Sequence, residues 1–338
     1  MKQNILESRR SVAFKLSALT MAAIGLPSAT NVLAQASSAA SNTAQSAKFI
    51  LPVSAGSGLD GIVRATSAAL GKALGQAVVI DNQPGAGGVV GTQTLVRAAP
   101  DGNTLSVVSN NHVIYPSVLK SIPFDPVADI TPIALLGATP MVLVVHPSVP
   151  AKDLKEFAAL LKANPGKYNY ASSGNGTILH LAAELFKDVA GVESIHIPYK
   201  GFSPMLQDII GNQVQWGVGA LAAVAGQIKA EKLRALCVSA PQRIAAAPDI
   251  PTSGEQGFPA YLVDGWFAAI GPKGLPADQV KRIHAALVAA FATSEVKDAM
   301  AKQGNTINIS SPEAALAHFK SELTRYAALV KKAGVVPQ

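Results

Sequence analysis

Short apolar runs alternate with amphipathic stretches along most of the 338-residue chain. Ile62, Thr66 and Leu70 lie four positions apart and predict one face of a helix over residues 59–74, which Gly75 ends. Similar periodicity predicts a helix ending at 99 and helices at 154–162, 178–189, 205–210, 224–229, 278–292, 295–302 and 312–332. Strands are predicted at 49–51, 77–80, 104–108, 141–145, 168–171, 195–197, 214–218, 233–239 and 261–270. This alternation indicates an α/β fold with mainly parallel sheets.

The N-terminus has the pattern of an export signal. Its first 15 residues carry four basic residues and one acid, and no charged residue lies between 16 and 34. Small residues before Ala34, and again before Ala36, suit signal-peptidase cleavage. A proline and an asparagine interrupt the apolar run, which argues against a membrane anchor. We therefore predict a signal peptide over 1–34 and a periplasmic mature protein, exported by the general secretory route or, given Arg9-Arg10, by the twin-arginine route.

The mature chain has the size of two domains. Residues 35–47 (QASSAASNTAQSA) are low in complexity and predict a flexible leader. About 300 residues follow, which suits two domains of about 150 residues. Loss of the signal removes four basic residues and one acid and lowers the formal net charge from +7 to +4. This mild charge does not indicate nucleic-acid binding. Cys237 is the only cysteine, so an intramolecular disulfide is excluded, and its apolar surroundings predict a buried thiol.

Three glycine- and serine-rich loops each stand between a predicted strand and a predicted helix. They are residues 54–58 (SAGSG), 84–88 (PGAGG) and 172–177 (SSGNGT). The first amides of a helix lack intrahelical acceptors and carry the positive end of its dipole, and open α/β sheets bind ligands at such loops. Any one loop is readily explained as a turn or cap. Two in the first half and one in the second indicate an anion-binding cleft between two domains, and these loops contain no arginine or lysine.

Two enzymatic or metal-binding alternatives are weaker. Residues 56–61 (GSGLDG) match the dinucleotide fingerprint, with Asp81 at the end of the next strand, but Pro52 is poorly placed in a central parallel strand. His180 and Glu184 stand four apart and could share a metal, although a polar pair on one helix face explains them better. We predict no catalytic residue, no metal and no cofactor. Asn111 and His112 follow a predicted strand and are expected to face the cleft.

Several longer segments resemble the periplasmic substrate-binding proteins of tripartite tricarboxylate transporters, the Bug-type family. The similarity covers residues 49–303 and is most specific at these segments: 78–88 (VVIDNQPGAGG), 99–105 (APDGNTL), 180–186 (HLAAELF) and 196–201 (HIPYKG). The resemblance implies a two-domain flytrap of the periplasmic-binding-protein type, with crossing hinge strands. Domain 1 would comprise 48–145 and 266–338, and domain 2 would comprise 146–265.

The resemblance also implies a role and a set of contacts. The protein would capture a small mono- or dicarboxylate, aliphatic or aromatic, as a monomer, and deliver it to membrane permease subunits. The resemblance implies Ser54, Ala55, Gly56, Ser57, Ser172, Asn175, Thr177, Tyr199 and Asp264 as ligand-binding residues, and the loops and strand ends described above add Gly58, Gly87, Asn111 and His112. The first loop departs from the proline- and glycine-rich form common in the family, so ligand identity does not carry over. An alternative function is presentation of the ligand to a sensor protein. A nicotinamide-dependent oxidoreductase is a third, less favoured interpretation.

Overall fold

The computed structural model describes residues 46–337. The strands are β1 (Ala47–Leu51), β2 (Val78–Asn82), β3 (Thr104–Ser109), β4 (Ile130–Val145), β5 (Tyr170–Ser172), β6 (His196–Pro198), β7 (Trp216–Ala220), β8 (Arg234–Val238), β9 (Asp264–Pro272) and β10 (Thr306–Ile307). The helices are α1 (Gly58–Leu74), α2 (Val89–Val96), α3 (Asn111–Val118), α4 (Leu154–Ala163), α5 (Ile178–Ala190), α6 (Phe202–Ile210), α7 (Leu221–Lys229), α8 (Ala277–Ala292), α9 (Ser294–Lys302) and α10 (Pro312–Lys332). The predicted signal peptide lies outside the described residues, as does the leader up to residue 45, and Ala47 already belongs to β1.

Local capping explains where the predicted helices begin and end. The Ser57 hydroxyl accepts a hydrogen bond from the Asp60 amide at the start of α1, and Gly75 ends that helix in the left-handed conformation. Thr177 and Gly191 do the same for α5. A side-chain acceptor before a helix and a glycine after it satisfy backbone groups that the helix itself leaves unpaired. The periodicity and the capping residues therefore agree on the same boundaries.

The strands form one mixed sheet in the order β2-β1-β3-β9-β4-β7-β5-β6, with β8 and β10 also paired to β4. β1 runs parallel to β2 and β3, and β5 runs parallel to β6 and β7. The pairings of β9 and β4 are antiparallel. The expectation of mainly parallel sheets thus holds for the outer strands, whereas the centre is antiparallel because two long strands cross between the halves of the molecule.

β4 belongs to both halves of the sheet. Its residues 130–140 pair with β9, and its residues 141–145 pair with β7 and β8. We call the half built on β1, β2, β3 and β9 lobe 1, and the half built on β5, β6, β7 and β8 lobe 2. The predicted domain boundaries at 145 and 265 coincide with the end of β4 and the start of β9, and as boundaries they stay a prediction.

Three elements were not predicted from the sequence. The first part of β4 contains Pro132 and Pro140, which weaken a strand pattern, and α3 contains Pro116, which weakens a helix pattern. β10 has only two residues. In addition, β9 begins at Asp264 rather than at 261. A proline fits in a strand or helix at a position where its missing N–H would not have donated a backbone hydrogen bond. The hydrophobic pattern of the sequence does not reveal which positions these are.

Two apolar clusters form the core. Phe49, Ile62 and Phe267 belong to the cluster of lobe 1 on the side of α1 and α8. Trp216 and Phe186 of lobe 2 belong to a larger cluster that continues into lobe 1. Cys237 is fully buried in β8, as predicted, and burial raises the pKa of its thiol to about 12. Between residues 46 and 337, no helix is both long and apolar enough to cross a bilayer.

Gly137 of β4 is expected to tolerate no side chain. A Cβ there would overlap the carbonyl oxygen of Thr306 in β10 and lie 2.9 Å from Cζ of Phe267. Gly137→Ala should therefore lower the free energy of unfolding by about 1–3 kcal/mol, measured by urea denaturation. Gly226→Ala is the control, because a Cβ on this α7 glycine meets nothing within 4 Å. It should stabilise the protein by about 0.5–1 kcal/mol, and equal effects of the two substitutions would contradict the packing argument.

Candidate functional site

A cavity of about 490 Å³ lies where the loops of both lobes meet the crossing strands. Its wall includes the loops after β1, β2, β5 and β6, the ends of β3 and β7, and parts of β4 and β9. This volume is in the range of small-molecule sites. Most of the wall is apolar, with Leu119, Met141, Leu179 and Phe202 among its side chains. The cavity can therefore enclose a small ligand with an apolar body.

The first loop is held by a buried carboxylate. Asp60 accepts hydrogen bonds from the Gly56 amide (2.9 Å), from Arg64 and from Asn82. Burial raises the pKa of Asp60, but the hydrogen bonds from Arg64, Gly56 and Asn82 outweigh it and lower the pKa below its usual value. Asp60 is therefore ionised and neutralised from within lobe 1. It fixes the loop and does not face the cavity.

The start of α1 presents unoccupied donors to the cavity. Gly58 and Leu59 line the cavity, and within the described part of the chain their amides have no acceptor. The Asp60 amide is already taken by the Ser57 hydroxyl. The first amides of a helix carry the positive end of the helix dipole. These two N–H groups are therefore available to an acceptor from outside the chain.

The third loop presents a second helix start. Gly176 donates its amide to Nδ1 of His180 (2.9 Å), and Thr177 caps α5. Ile178, the first residue of α5, donates its amide to the Asn111 side chain of lobe 1 (2.8 Å). The amide of Leu179 has no acceptor among residues 46–337, and Leu179 lines the cavity. The Ile178 amide of α5 thus forms a hydrogen bond between the lobes, whereas the Leu179 amide is free.

The lobes are joined at the mouth of the cavity by hydrogen bonds. Ser54 accepts from the amide of Phe202, the first residue of α6, at 3.0 Å. Ser203 donates its hydroxyl to the carbonyl of Ala55 at 2.7 Å. Together with the bond from Ile178 to Asn111, these contacts hold the two lobes in a closed arrangement.

The second loop is shaped by glycines with positive φ. Gly87 has φ of +70° and Gly88 has φ of +126°, and a Cβ on Gly88 would overlap the hydroxyl of Tyr115. The Gly87 carbonyl accepts from Asn111 (3.2 Å) and from Tyr115 (3.3 Å). Glycine is required at position 88, where a side chain fits neither the backbone angles nor the space, whereas at position 87 only the positive φ disfavours a side chain.

The charge on the wall is positive. Lys200 lines the cavity, forms no salt bridge within residues 46–337, and is the one charged residue of the described wall. It lies outside the three glycine-rich loops, which contain no arginine or lysine. Lys200 follows β6 instead, next to Tyr199. The site is therefore electrostatically suited to an anion.

Seven of the predicted ligand-binding residues line the cavity: Ser54, Ser57, Gly58, Gly87, Asn111, Asn175 and Tyr199. Their contact with a ligand stays a prediction. The Tyr199 hydroxyl donates to Asp208 (2.7 Å), and burial together with this bond raises the pKa of Tyr199 to about 12. Tyr199 therefore presents its ring to the cavity while its hydroxyl is already engaged.

His112 does not line the cavity, which corrects its expected position. α3 begins at Asn111, so the chain turns helical there and His112 points into the packing between α3 and α10. It is 1% exposed, its Nε2 lies 2.6 Å from the carbonyl oxygen of Pro126, and its ring stacks on Phe124. Burial lowers the pKa of His112 to about 4. His112 is a neutral core residue.

Five further predicted residues also lie off the wall. The Gly56 amide is occupied by Asp60, and the Ala55 carbonyl is occupied by Ser203. The Ser172 hydroxyl is 2.6 Å from Nε2 of His196, and that of Thr177 caps α5. Asp264, at the start of β9, has a largely exposed side chain 4.0 Å from Arg325. These residues shape the loops and hinge instead of forming the cavity surface.

The cavity also uses residues that the sequence did not single out. Thr139 and Met141 come from β4, and Gly265 and Trp266 come from β9. The part of β4 that carries Thr139 was not predicted as a strand, so no signal placed it near the loops. Lys200 could have been found, because it lies in the HIPYKG segment that carries the resemblance.

Neither alternative chemistry gains support. Asp81, required by the dinucleotide reading, is paired with Lys48 at 2.7 Å and does not line the cavity. Within the described residues, no group of three or more histidine, cysteine or carboxylate side chains could hold a metal. His180 and Glu184 are 4.0 Å apart, but Glu184 is bonded to Lys187 and Tyr170. They form part of a polar network in lobe 2, as the alternative explanation of this pair proposed.

Two stacked histidines support the third loop. The rings of His180 and His196 are 3.9 Å apart and nearly parallel, and Tyr170 stacks on His196. Burial, with a smaller effect of Lys187, lowers the pKa of His180 to about 4. Burial and the neighbouring His180 lower that of His196 to about 3. Both rings are therefore neutral at pH 7, which leaves Nδ1 of His180 free to accept the Gly176 amide.

Acid should destabilise the protein through these histidines. Between pH 6.5 and about 4, His180 is protonated in the unfolded chain but stays neutral in the folded protein. The free energy of unfolding therefore falls as the pH falls. His180→Asn keeps an acceptor for Gly176 but cannot titrate. Its free energy of unfolding should drop by about 1–2 kcal/mol less than that of the unaltered protein between pH 7 and pH 5, measured by urea denaturation. Identical pH dependence of the two proteins would contradict this.

Comparison with known proteins agrees with the geometry. A family model described as "Tripartite tricarboxylate transporter family receptor" matches residues 62–335. Protein BugT of Bordetella pertussis is 33% identical over 316 residues, which cover 93% of this chain and 97% of BugT.

Solved structures extend the similarity to the fold. MatC from Rhodopseudomonas palustris with bound malate superposes with a TM-score of 0.79 at 28% identity, covering 84% of this chain and 98% of MatC. R. palustris Rpa4515 with adipate gives a TM-score of 0.83 at 27% identity, covering 87% and 98%. Solved periplasmic binding proteins share this fold, which confirms the two-domain flytrap. The chain belongs to the family of tripartite tricarboxylate transporter receptors, which are solute-binding proteins and not enzymes.

Proposed function

We propose that this protein binds a small carboxylate in the cavity between its lobes and delivers it to the membrane subunits of a tripartite tricarboxylate-type transporter. The observation that carries the proposal is a mainly apolar cavity between the hydrogen-bonded lobes, with free amides of α1 and α5, one lysine and no carboxylate on its described wall. The malate- and adipate-bound relatives support this ligand class. The predicted signal peptide over residues 1–34 supports a periplasmic location. We expect the protein to act there as a monomer.

The free donors can supply enough binding energy. A Kd of 1 µM corresponds to about 8 kcal/mol. Hydrogen bonds to a charged group contribute about 1.5–3 kcal/mol each, and a helix start adds about 0.3–1 kcal/mol. The amides of Gly58, Leu59 and Leu179, helped by Lys200 and by apolar contact in the closed cavity, reach this range after the cost of association.

A negative charge at the start of α1 should abolish binding. Ser57→Asp keeps an acceptor for the Asp60 amide, because aspartate caps helices as well as serine does. Two like charges about 4 Å apart in a partly buried site repel by about 4 kcal/mol, so we expect at least a hundredfold rise in Kd. Isothermal titration with a carboxylate that shifts the melting temperature of the unaltered protein measures this.

Ser311→Asp is the matched control. Ser311 caps α10 in the same way, through the Ala314 amide, and does not line the cavity. This variant should bind like the unaltered protein. Retained binding in Ser57→Asp would remove the α1 amides from the site. If no carboxylate in a broad panel raises the melting temperature of the unaltered protein, the proposed function is wrong.

Closure should depend on a glycine in the third loop. Gly176 has φ of +71°, and a Cβ there would overlap Val118 of α3 in the opposite lobe. Gly176→Ala should therefore hinder the closed arrangement and raise Kd at least tenfold. Gly191→Ala shares the strain of a positive φ, +62°, but a Cβ there meets nothing within 4 Å. Its Kd should be unchanged, and a similar Kd for both variants would contradict a role of this contact in closure.

A further inference from the structure

Ser109, the last residue of β3, lines the cavity at the carboxyl end of a central strand of lobe 1. The strand register places its side chain on the face of the sheet that α1 covers. Leu105 and Val107, four and two positions earlier, pack in the apolar cluster on that side, whereas Val108 packs in the other cluster. Alternate residues of a strand share one face, so the Ser109 side chain lies on the α1 side.

The strand partner of Ser109 supports this orientation and shows that the cavity reaches it. Ser109 pairs with Phe267 of β9, and opposite residues of an antiparallel pair share one face of the sheet. Phe267 belongs to the same cluster as Leu59 and Ile62 of α1, and all three line the cavity. The cavity therefore extends onto the α1 face at the end of β3, where Ser109 lies.

The Ser109 hydroxyl is both free and accessible. It forms no hydrogen bond within residues 46–337, it is not among the buried unpartnered atoms of that range, and the residue is partly exposed. The other hydroxyls of the described wall are already hydrogen-bonded or closed off: those of Ser54, Ser57, Ser173 and Tyr199 have protein partners, and that of Thr139 is fully buried. Ser109 is thus the hydroxyl of this wall that a ligand can engage without displacing a protein partner.

The apolar surroundings of Ser109 make this hydroxyl selective. Water that enters the cavity can solvate it, but a ligand that fills the cavity removes that water. Beside Leu59, Ile62 and Phe267 the hydroxyl then has no partner unless the ligand supplies one. An unsatisfied polar group in apolar surroundings costs free energy. A ligand with an oxygen atom at this position is therefore favoured over an apolar ligand of the same shape.

We infer that Ser109 is a specificity-determining residue, whose hydroxyl donates a hydrogen bond to the ligand carboxylate held at the start of α1. The inference rests on the proposed function and adds a side-chain donor to the free amides of Gly58 and Leu59 on the same wall. α1 packs against β3, which brings the end of this strand to the side of those amides. Because the hydroxyl is unused within the described protein, its removal affects binding and not folding.

The test removes this hydroxyl alone. Ser109→Ala should raise Kd about tenfold, which corresponds to about 1.4 kcal/mol. The melting temperature without ligand should be unchanged. Kd is measured by isothermal titration with carboxylates that raise the melting temperature of the unaltered protein, beginning with malate and adipate. The loss should be similar for both, since both carry a carboxylate whereas only malate has a hydroxyl group.

Ser106→Ala is the matched control on the same strand. The Ser106 hydroxyl is buried, does not line the cavity and donates to the carbonyl of Ile50 at 2.7 Å. Its loss should lower the melting temperature by about 2–4 °C and leave Kd unchanged.

Three results would overturn the role of Ser109 alone: an unaltered Kd in Ser109→Ala, a loss confined to malate, or a melting temperature lowered as far as in Ser106→Ala. A loss confined to malate would place Ser109 at the hydroxyl group of that ligand instead of its carboxylate. Failure of the unaltered protein to bind any carboxylate would overturn the proposed function, and this inference with it.

Discussion

Unpaired amides at helix starts are the constraint on which the site depends. Every α-helix leaves its first N–H groups without intrahelical acceptors, and these groups must find partners elsewhere. In α1 and α5 the cap residues satisfy only one amide each, and Gly58, Leu59 and Leu179, which line the apolar cavity, keep amides without an acceptor among residues 46–337. The same requirement joins the lobes, because Asn111 and Ser54 of lobe 1 cap the first residues of α5 and α6 in lobe 2.

The buried charges are arranged so that they do not compete with this anion site. Asp60 lies just behind the first loop, and an unneutralised carboxylate there would repel an anionic ligand. Arg64 and Asn82 bind it from within lobe 1, and the Gly56 amide turns towards it. In lobe 2, burial keeps His180 and His196 neutral, so the third loop is fixed by a neutral acceptor.

The sequence predicted most of the helices and the three loops, because caps, glycines and periodicity act locally. It placed Ser57, Gly87 and Asn175 on the cavity for the same reason. It misplaced His112, because a proline in α3 hid the helix that turns this side chain into the core. It missed Thr139 as a wall residue, because its place on the wall depends on β4 and β9 crossing, a contact between segments about 125 residues apart in the chain.

The junction of the lobes is also part of the cavity wall. β4 runs unbroken from one half-sheet into the other, and Thr139 and Pro140 lie where its partner changes from β9 to β7. Thr139 and Met141 on either side of this change line the cavity. Any change in the angle between the lobes therefore also reshapes the cavity wall.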